Sequence, residues 1–285
     1  MSTTQVVLVI LGTLAYFAVG SFTNVVIDRL PVHLAEPNKF GEEWDTRPWG
    51  EVFAGRSRCS GCGTDIVWHQ NVPVMSWLAL RGRCATCGVA IPGYTPVVEL
   101  LCPLLFLGAV ATIGIDDWRL LPALWLIPVG VAIAVIDLRT LIVPTRIVWP
   151  AFFVAVALSV LTAAIEGGWG WLLSAAVGVA VLAGPLFALW FLLPTGMGFG
   201  DVRLTVLLGW YLGFYSGVRP VAAVILALIA LVVASLVGIV LGVVVLGARG
   251  RKAKVPFGPA LVIAAFVCVA LAPEILDPFD VFSLG

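Results

Sequence analysis

The chain has 285 residues, 61% of them hydrophobic and only 11% charged, with a mean hydropathy of +1.10. A soluble domain carries roughly a quarter charged residues, so this composition excludes an ordinary soluble globular protein. It implies an all-α membrane protein that crosses the bilayer several times. Basic and acidic residues balance at 16 each, and a net charge of zero gives no support for nucleic-acid binding.

The first element in chain order is an apolar run over residues 5–27. The preceding MSTTQ has no basic residue, so the run reads as a first transmembrane helix (1–27) and not as a cleavable signal peptide. Residues 28–96 contain no spanning run. Their first part, HLAEPNKFGEEWDTRPWGEVFAG, mixes charge with proline and glycine and predicts an irregular loop.

Two related octets follow, RSRCSGCG (56–63) and RGRCATCG (81–88). Cys59-x2-Cys62 and Cys84-x2-Cys87 are separated by 21 residues, a spacing that predicts a metal site. Four thiolates suit tetrahedral Zn²⁺ in a closed, structural site. The net charge of such a centre would be −2, which Arg56, Arg58, Arg81 and Arg83 are placed to offset. A disulfide framework and four reduced thiols without metal are the rival readings. Gly63 and Gly88 sit where each knuckle must turn tightly. His33 and His69 are expected to be solvated, as are Asp116 and Asp117 further on. Cys102 and Cys268 fall inside apolar runs and read as small packing residues.

Seven more apolar stretches follow, at 97–115, 119–136, 147–165, 171–193, 201–218, 220–247 and 256–273, making about eight transmembrane helices. The sixth of the eight is the weakest, because it opens on Asp201 and contains Arg203. With eight spans, one side of the membrane receives 14 basic residues and the other only Arg119 and Arg219; the short loops alone divide seven against two. By the positive-inside rule, the cysteine segment faces the cytoplasm.

Ionisable residues at spans are functional candidates because membrane burial of charge is costly. Asp137 ends the third span in GVAIAVIDLRT, and Asp201 follows Gly198 and Gly200 in TGMGFGDVRL. Both are expected at the cytoplasmic edge, delivered by separate helices. Two carboxylates sharing a proton can activate water and polarise a carbonyl, and the glycines would let a substrate approach. Asp201 also suits a helix N-cap and Asp137 an interfacial charge paired with Arg139. Matching depth favours catalysis for the two together.

These residues resemble a family, the bacterial prepilin peptidases (type IV leader peptidase and N-methyltransferase, within the GxGD aspartyl proteases). The resemblance runs through GSFTNVVIDRLP (20–31), NVPVMSWLALRGRCATCG (71–88), PVVEL (96–100), AVIDLRTLIVP (134–144), GMGFGD (196–201) and PFGP (256–259). It implies Asp137 and Asp201 as catalytic, Gly198 and Gly200 as the active-site loop, and Cys59, Cys62, Cys84 and Cys87 as zinc ligands. Gly82 and Arg83 match a Gly–basic pair associated with methylation. Val143-Pro144-Thr145 departs from the family's Leu-Pro-Asp, leaving Asp137 as the motif's only aspartate. Thr95 and Ala260 are further departures, without loss of a catalytic group.

The resemblance implies a multi-pass enzyme of the bacterial cytoplasmic membrane, with a zinc-bound cytoplasmic domain (28–96) ahead of a transmembrane protease domain (97–285). Its partners would be the lipid bilayer and type IV prepilin or pseudopilin precursors, whose short basic leaders it cleaves at the cytoplasmic face. The new N-terminus would be methylated from S-adenosylmethionine. The alternatives are a GxGD protease with another membrane substrate, an ion-coupled transporter, and a zinc-stapled scaffold. Transporters usually show repeats and midplane sites, and the two halves show no repeat.

Overall fold

The structure, a computed structural model, describes residues 2–34, 44–192, 198–249 and 255–279. It divides into two compact units, residues 1–111 and 112–285. Lys39, Arg251, Lys252, Lys254, Asp280 and the first residues of GMGFGD lie outside the described residues.

In the first unit, helix α1 (Thr3–Arg29) opens with a capping box in which Ser2 and Gln5 satisfy one another's backbone N–H groups. Helix α4 (Tyr94–Ile113) packs directly on α1, because Gly20 has no side chain: a Cβ there would lie 2.9 Å from the Glu99 Cα. Asn24 of α1 donates to the Thr95 carbonyl at 3.0 Å, and the Tyr94 hydroxyl donates to Asp28.

Between them, described residues of the segment predicted as irregular form regular structure. Strand β1 (Pro31–His33) pairs antiparallel with β2 (Trp44–Thr46), followed by the short helix α2 (Trp49–Val52). Arg29, at the end of α1, donates to the carbonyls of Val52, Ala54 and Arg56 and so fixes the approach to the first knuckle. A 3₁₀ turn at Trp68–Gln70 and helix α3 (Met75–Ala79) separate the two knuckles.

The second unit holds α5 (Leu120–Thr140), α6 (Thr145–Glu166), α7 (Gly170–Leu192), α8 (Phe199–Tyr215), α9 (Pro220–Arg249), α10 (Gly258–Ala270) and α11 (Ala272–Leu276). All eight apolar stretches are therefore helical. Six of them, α1, α4, α5, α6, α7 and α9, are long and apolar enough to cross a membrane. The other two are shorter: α8 has 17 residues and α10 has 13, about 26 and 20 Å against a hydrocarbon core of about 30 Å.

Their surroundings explain the shortness. Helix α8 packs against α6, α7, α9 and α10, and α10 packs against α5, α8 and α9. Leu204, Leu207, Leu208, Tyr211, Leu212 and Phe214 of α8 are buried around much of the helix. A helix sheltered by protein need not match the bilayer, because its end groups find partners inside the fold.

Small residues set the closest approach. In α7 and α8, Ser174 and Gly178 face Gly209 and Gly213, each pair four residues apart. A Cβ on Gly213 would lie 2.1 Å from the Ser174 carbonyl oxygen, and one on Gly178 would lie 2.3 Å from that of Gly209. Membrane helices, which gain no hydrophobic energy by leaving lipid, associate through such close backbone packing.

At the far end of α5 from Asp137, Asp117 is not simply solvated. It pairs with Arg119 at 2.6 Å, and the guanidinium lies 5.5 Å from the centre of the Trp171 ring. Burial pushes the Asp117 carboxyl up, but its hydrogen bonds to Arg119 outweigh this and hold it below the ordinary value. This contribution to stability is complete above the unfolded carboxyl pKa and is lost as pH falls through the folded one.

Candidate active site and cysteine cluster

Helix α5 ends one turn after Asp137. Leu141 caps it in a left-handed conformation (φ 58°) and donates its N–H to the Asp137 carbonyl at 2.9 Å. That geometry suits glycine better than leucine. The chain then returns through Val143 to Pro144, which caps α6.

Helix α8 begins with Gly198 as its N-cap, which places Asp201 in the first turn as its third residue. The N-cap alternative for Asp201 is therefore replaced by Gly198. Gly198 is exposed, whereas a Cβ on Gly200 would come within 3.0 Å of the Val143 side chain. Gly200 thus lets the first turn of α8 close against the turn that follows Asp137.

The Asp137 side chain is only 4% exposed. Its Oδ2 accepts the Gly258 backbone N–H at 3.0 Å, and Gly258 is the first residue of α10, after the Phe257 cap. The Asp137 carboxylate also lies within electrostatic reach of Asp201. The sequence-predicted aspartates, from α5 and α8, are thus neighbours at one end of the second unit. Both stand beside helix N-termini, where the backbone dipole favours negative charge.

Gly258 is a contact of Asp137 that sequence reasoning missed as such. Its signal was the PFGP motif, but nothing in the motif shows a contact 121 residues away. A Cβ at position 258 would lie 2.6 Å from Asp137 Oδ2, so Gly258→Ala must displace the carboxylate and is expected to weaken its hydrogen bond. If Asp137 acts in catalysis, about a hundredfold loss of turnover is expected from such a displacement. Steady-state kinetics of Gly258→Ala beside a thermal unfolding curve checks this; unchanged turnover in a folded variant would remove the positioning role.

In the first unit, each octet folds into the same knuckle. Cys59 N–H bonds to the Thr64 carbonyl and Gly63 N–H to that of Cys59; in the second octet Cys84 bonds to Val89, and Gly88 to Cys84. Gly63 and Gly88 have φ of 69° and 73°, which glycine adopts without steric cost. Within each knuckle the backbone N–H two residues on faces the first sulphur, Gly61 to Cys59 and Thr86 to Cys84, both at 3.4 Å.

The Sγ atoms of Cys59, Cys62, Cys84 and Cys87 all lie within 4.8 Å of one another. Cys59 and Cys87 are 3.7 Å apart, close to the edge of about 3.8 Å for a tetrahedron of sulphurs 2.3 Å from a central ion. The cluster therefore fits a four-coordinate metal, and no histidine takes part among the described residues. Backbone N–H groups of Cys87 and Thr86 lower the Cys84 thiol to about 6, and Thr64 lowers that of Cys62. At Cys87, Val89 pulls the thiol down, but desolvation and three neighbouring sulphurs push it up to about 12. Four sulphurs this close resist ionising together without a cation between them.

The flanking arginines are partly committed elsewhere. Arg58 pairs with Asp65 at 2.7 Å, and Arg83 reaches the Gly88 carbonyl at 3.4 Å. Gly82 has φ of 66°, and a Cβ there would lie 2.8 Å from the Trp77 ring. The backbone conformation and the close Trp77 ring account for a glycine at position 82.

Comparison with known proteins agrees with this architecture. A family model described as the bacterial peptidase A24 N-terminal domain matches residues 14–113, and one described as the type IV leader peptidase family matches residues 124–272. A "Prepilin leader peptidase/N-methyltransferase" from Aeromonas hydrophila is 34% identical over 268 residues, covering 88% of this chain and 86% of that protein. Proteins of the same name from Stutzerimonas stutzeri and Myxococcus xanthus are 35% and 36% identical, over 67% and 68% of this chain. The alignment spans about half (53%) of the Myxococcus protein and 68% of the Stutzerimonas one. No solved structure matches. With both units covered in order, the chain belongs to the type IV leader peptidase family.

Proposed function

We propose that the chain is an intramembrane aspartyl endopeptidase that removes the leader peptide of type IV prepilin or pseudopilin precursors, with Asp137 and Asp201 as its catalytic pair. The observation that carries this reading is the convergence of two carboxylates from separate helices to within electrostatic reach, one buried and held by the N-terminus of a third. The pair holds one proton between them. One carboxylate takes a proton from water as it attacks the scissile carbonyl, while the protonated partner polarises the carbonyl oxygen and later protonates the leaving amine. Gly258 occupies Asp137 Oδ2 and leaves Oδ1 for the shared proton or the water. Gly198, exposed and without a side chain, lets an extended peptide approach.

On this reading residues 28–96 face the cytoplasm, residues 97–285 form the protease domain, and the enzyme lies in the bacterial cytoplasmic membrane. A precursor held by its own apolar helix presents its cleavage site at the depth of the dyad, which lowers the entropic cost of docking. The four cysteines hold a structural Zn²⁺, whose closed shell leaves no position for substrate. Like the relatives named above, the chain also N-methylates its product; S-adenosylmethionine would supply the methyl group, and no step is assigned to Gly82 or Arg83.

The test is co-expression with a pilin-like precursor, following its mass. Loss of the leader supports the peptidase, a further gain of one methyl group supports the second activity, and an unchanged precursor counts against both. Separately, Cys59→Ser should lose most of the bound zinc by elemental analysis and lower the unfolding temperature of the first unit. A structural zinc site contributes about 10 kcal/mol or more to folding in zinc-finger peptides. Full zinc content in that variant would remove the four-cysteine assignment.

A further inference from the structure

The short segments between α1 and α4 expose large apolar side chains: Trp68 is 82% exposed, Met75 65% and Leu78 58%, with Phe53 and Val72 also exposed. A small domain standing free in water would bear such residues at a cost in solubility. Two tethers within the first unit fix where they lie.

The first tether is a hydrogen bond from the Val74 N–H to Glu99 Oε2, 2.7 Å long. Helix α4 has 20 residues, about 30 Å, which is no longer than the hydrocarbon core it must cross. Glu99 is its sixth residue and buried, and its side chain points back towards the start of the helix. Val74 is therefore held beside the first turn of a membrane span. It adopts φ of 61°, which is strained for a β-branched residue. Met75 and Leu78 follow at once in α3, and Ser76 ties that helix to the turn carrying Trp68 by donating to the His69 carbonyl at 3.1 Å.

The second tether is on the other span. Phe53 stacks on Phe22 of α1 at 5.6 Å, and Trp49 stacks on Phe53 at 5.3 Å. Phe22 lies seven residues before the end of α1 and is itself exposed. The aromatic stack continues the lipid-facing surface of the helix.

We propose that Phe53, Trp68, Met75 and Leu78 form an interfacial foot that rests the cysteine domain on the bilayer, its occupant being lipid at the headgroup–acyl boundary. Aromatic and long apolar side chains favour that depth. The foot restricts the knuckles to a fixed height above the membrane. Neither the metal nor the peptidase reading is needed for it.

The test places the photoreactive residue p-benzoylphenylalanine at position 53, 75 or 78 of the full chain, in nanodiscs of phosphatidylethanolamine and phosphatidylglycerol. Val97, exposed on α4, and Ser60, at a knuckle tip, serve as reference positions. After irradiation, mass spectrometry counts phospholipid adducts. Positions 75 and 78 should match position 97 within about threefold and exceed position 60 by about tenfold. Adduct yields no higher than at position 60, or crosslinks mainly to other peptides of the chain, would overturn the proposal. Zinc content and thermal unfolding of each variant establish that the domain is folded.

Discussion

Asp137→Asn and Asp201→Asn should each slow leader removal by about a thousandfold or more, within the range expected when a general acid or base is lost, while the protein still inserts and folds. Asparagine keeps the shape of the side chain. At position 137 its carbonyl oxygen can still accept the Gly258 N–H, so the contact between α5 and α10 survives. On the dyad reading, what goes is the shared proton, and with it both the activation of water and the protonation of the leaving amine. Because the two groups act as one unit, the double variant should be little slower than either single one. Asp117→Asn is the control: it lies just before the other end of α5, about 25 Å away by helix rise, and should leave cleavage intact. Measurement is a time course of precursor mass with purified enzyme. If either single variant retains activity within about tenfold of the parent, the dyad assignment is lost and the transporter and scaffold readings return.

This pair was legible in the sequence because charge inside an apolar run is conspicuous, and because a predicted topology places run ends on one side or the other. The octets were legible for a different reason: ligand spacing along a chain constrains geometry in space when the turns are tight, and Gly63 and Gly88 supply the turns. Other parts were hidden by sequence distance. The β1–β2 ladder joins strands of three residues each, too short for alternation to register. The Gly258–Asp137 and Val74–Glu99 hydrogen bonds join residues that no local pattern relates. The shortness of α8 and α10 was hidden because an apolar run measures hydrophobicity and says nothing about whether lipid or protein surrounds it. The commitment of Arg58 to Asp65 likewise depends on a turn closing in three dimensions.

Gly213→Leu is expected to destabilise the second unit strongly. At that position a Cβ would lie 2.1 Å from the Ser174 carbonyl oxygen and 2.6 Å from the Ala175 Cα. Those are backbone atoms of α7, and no rotamer change moves them. The two helices must separate, which opens the packing along Gly178 and Gly209 as well. Overpacking in a soluble core costs about 1–3 kcal/mol, and a backbone contact this close belongs at or above the upper end. On the dyad reading function should fall with stability, because α8 carries Asp201, and tilting the helix shifts that carboxylate relative to Asp137 when catalytic groups tolerate only about 0.5 Å. Gly108→Ala provides the comparison. Gly108 lies in α4, and a methyl group added there would meet nothing within 4 Å, so alanine should be neutral or stabilising by up to about 1 kcal/mol. Thermal unfolding in detergent, read beside the cleavage rate, separates the two cases. If Gly213→Leu melts with the parent and cleaves at its rate, α7 and α8 are not in backbone contact, and the frame that brings Asp201 to Asp137 must be drawn differently.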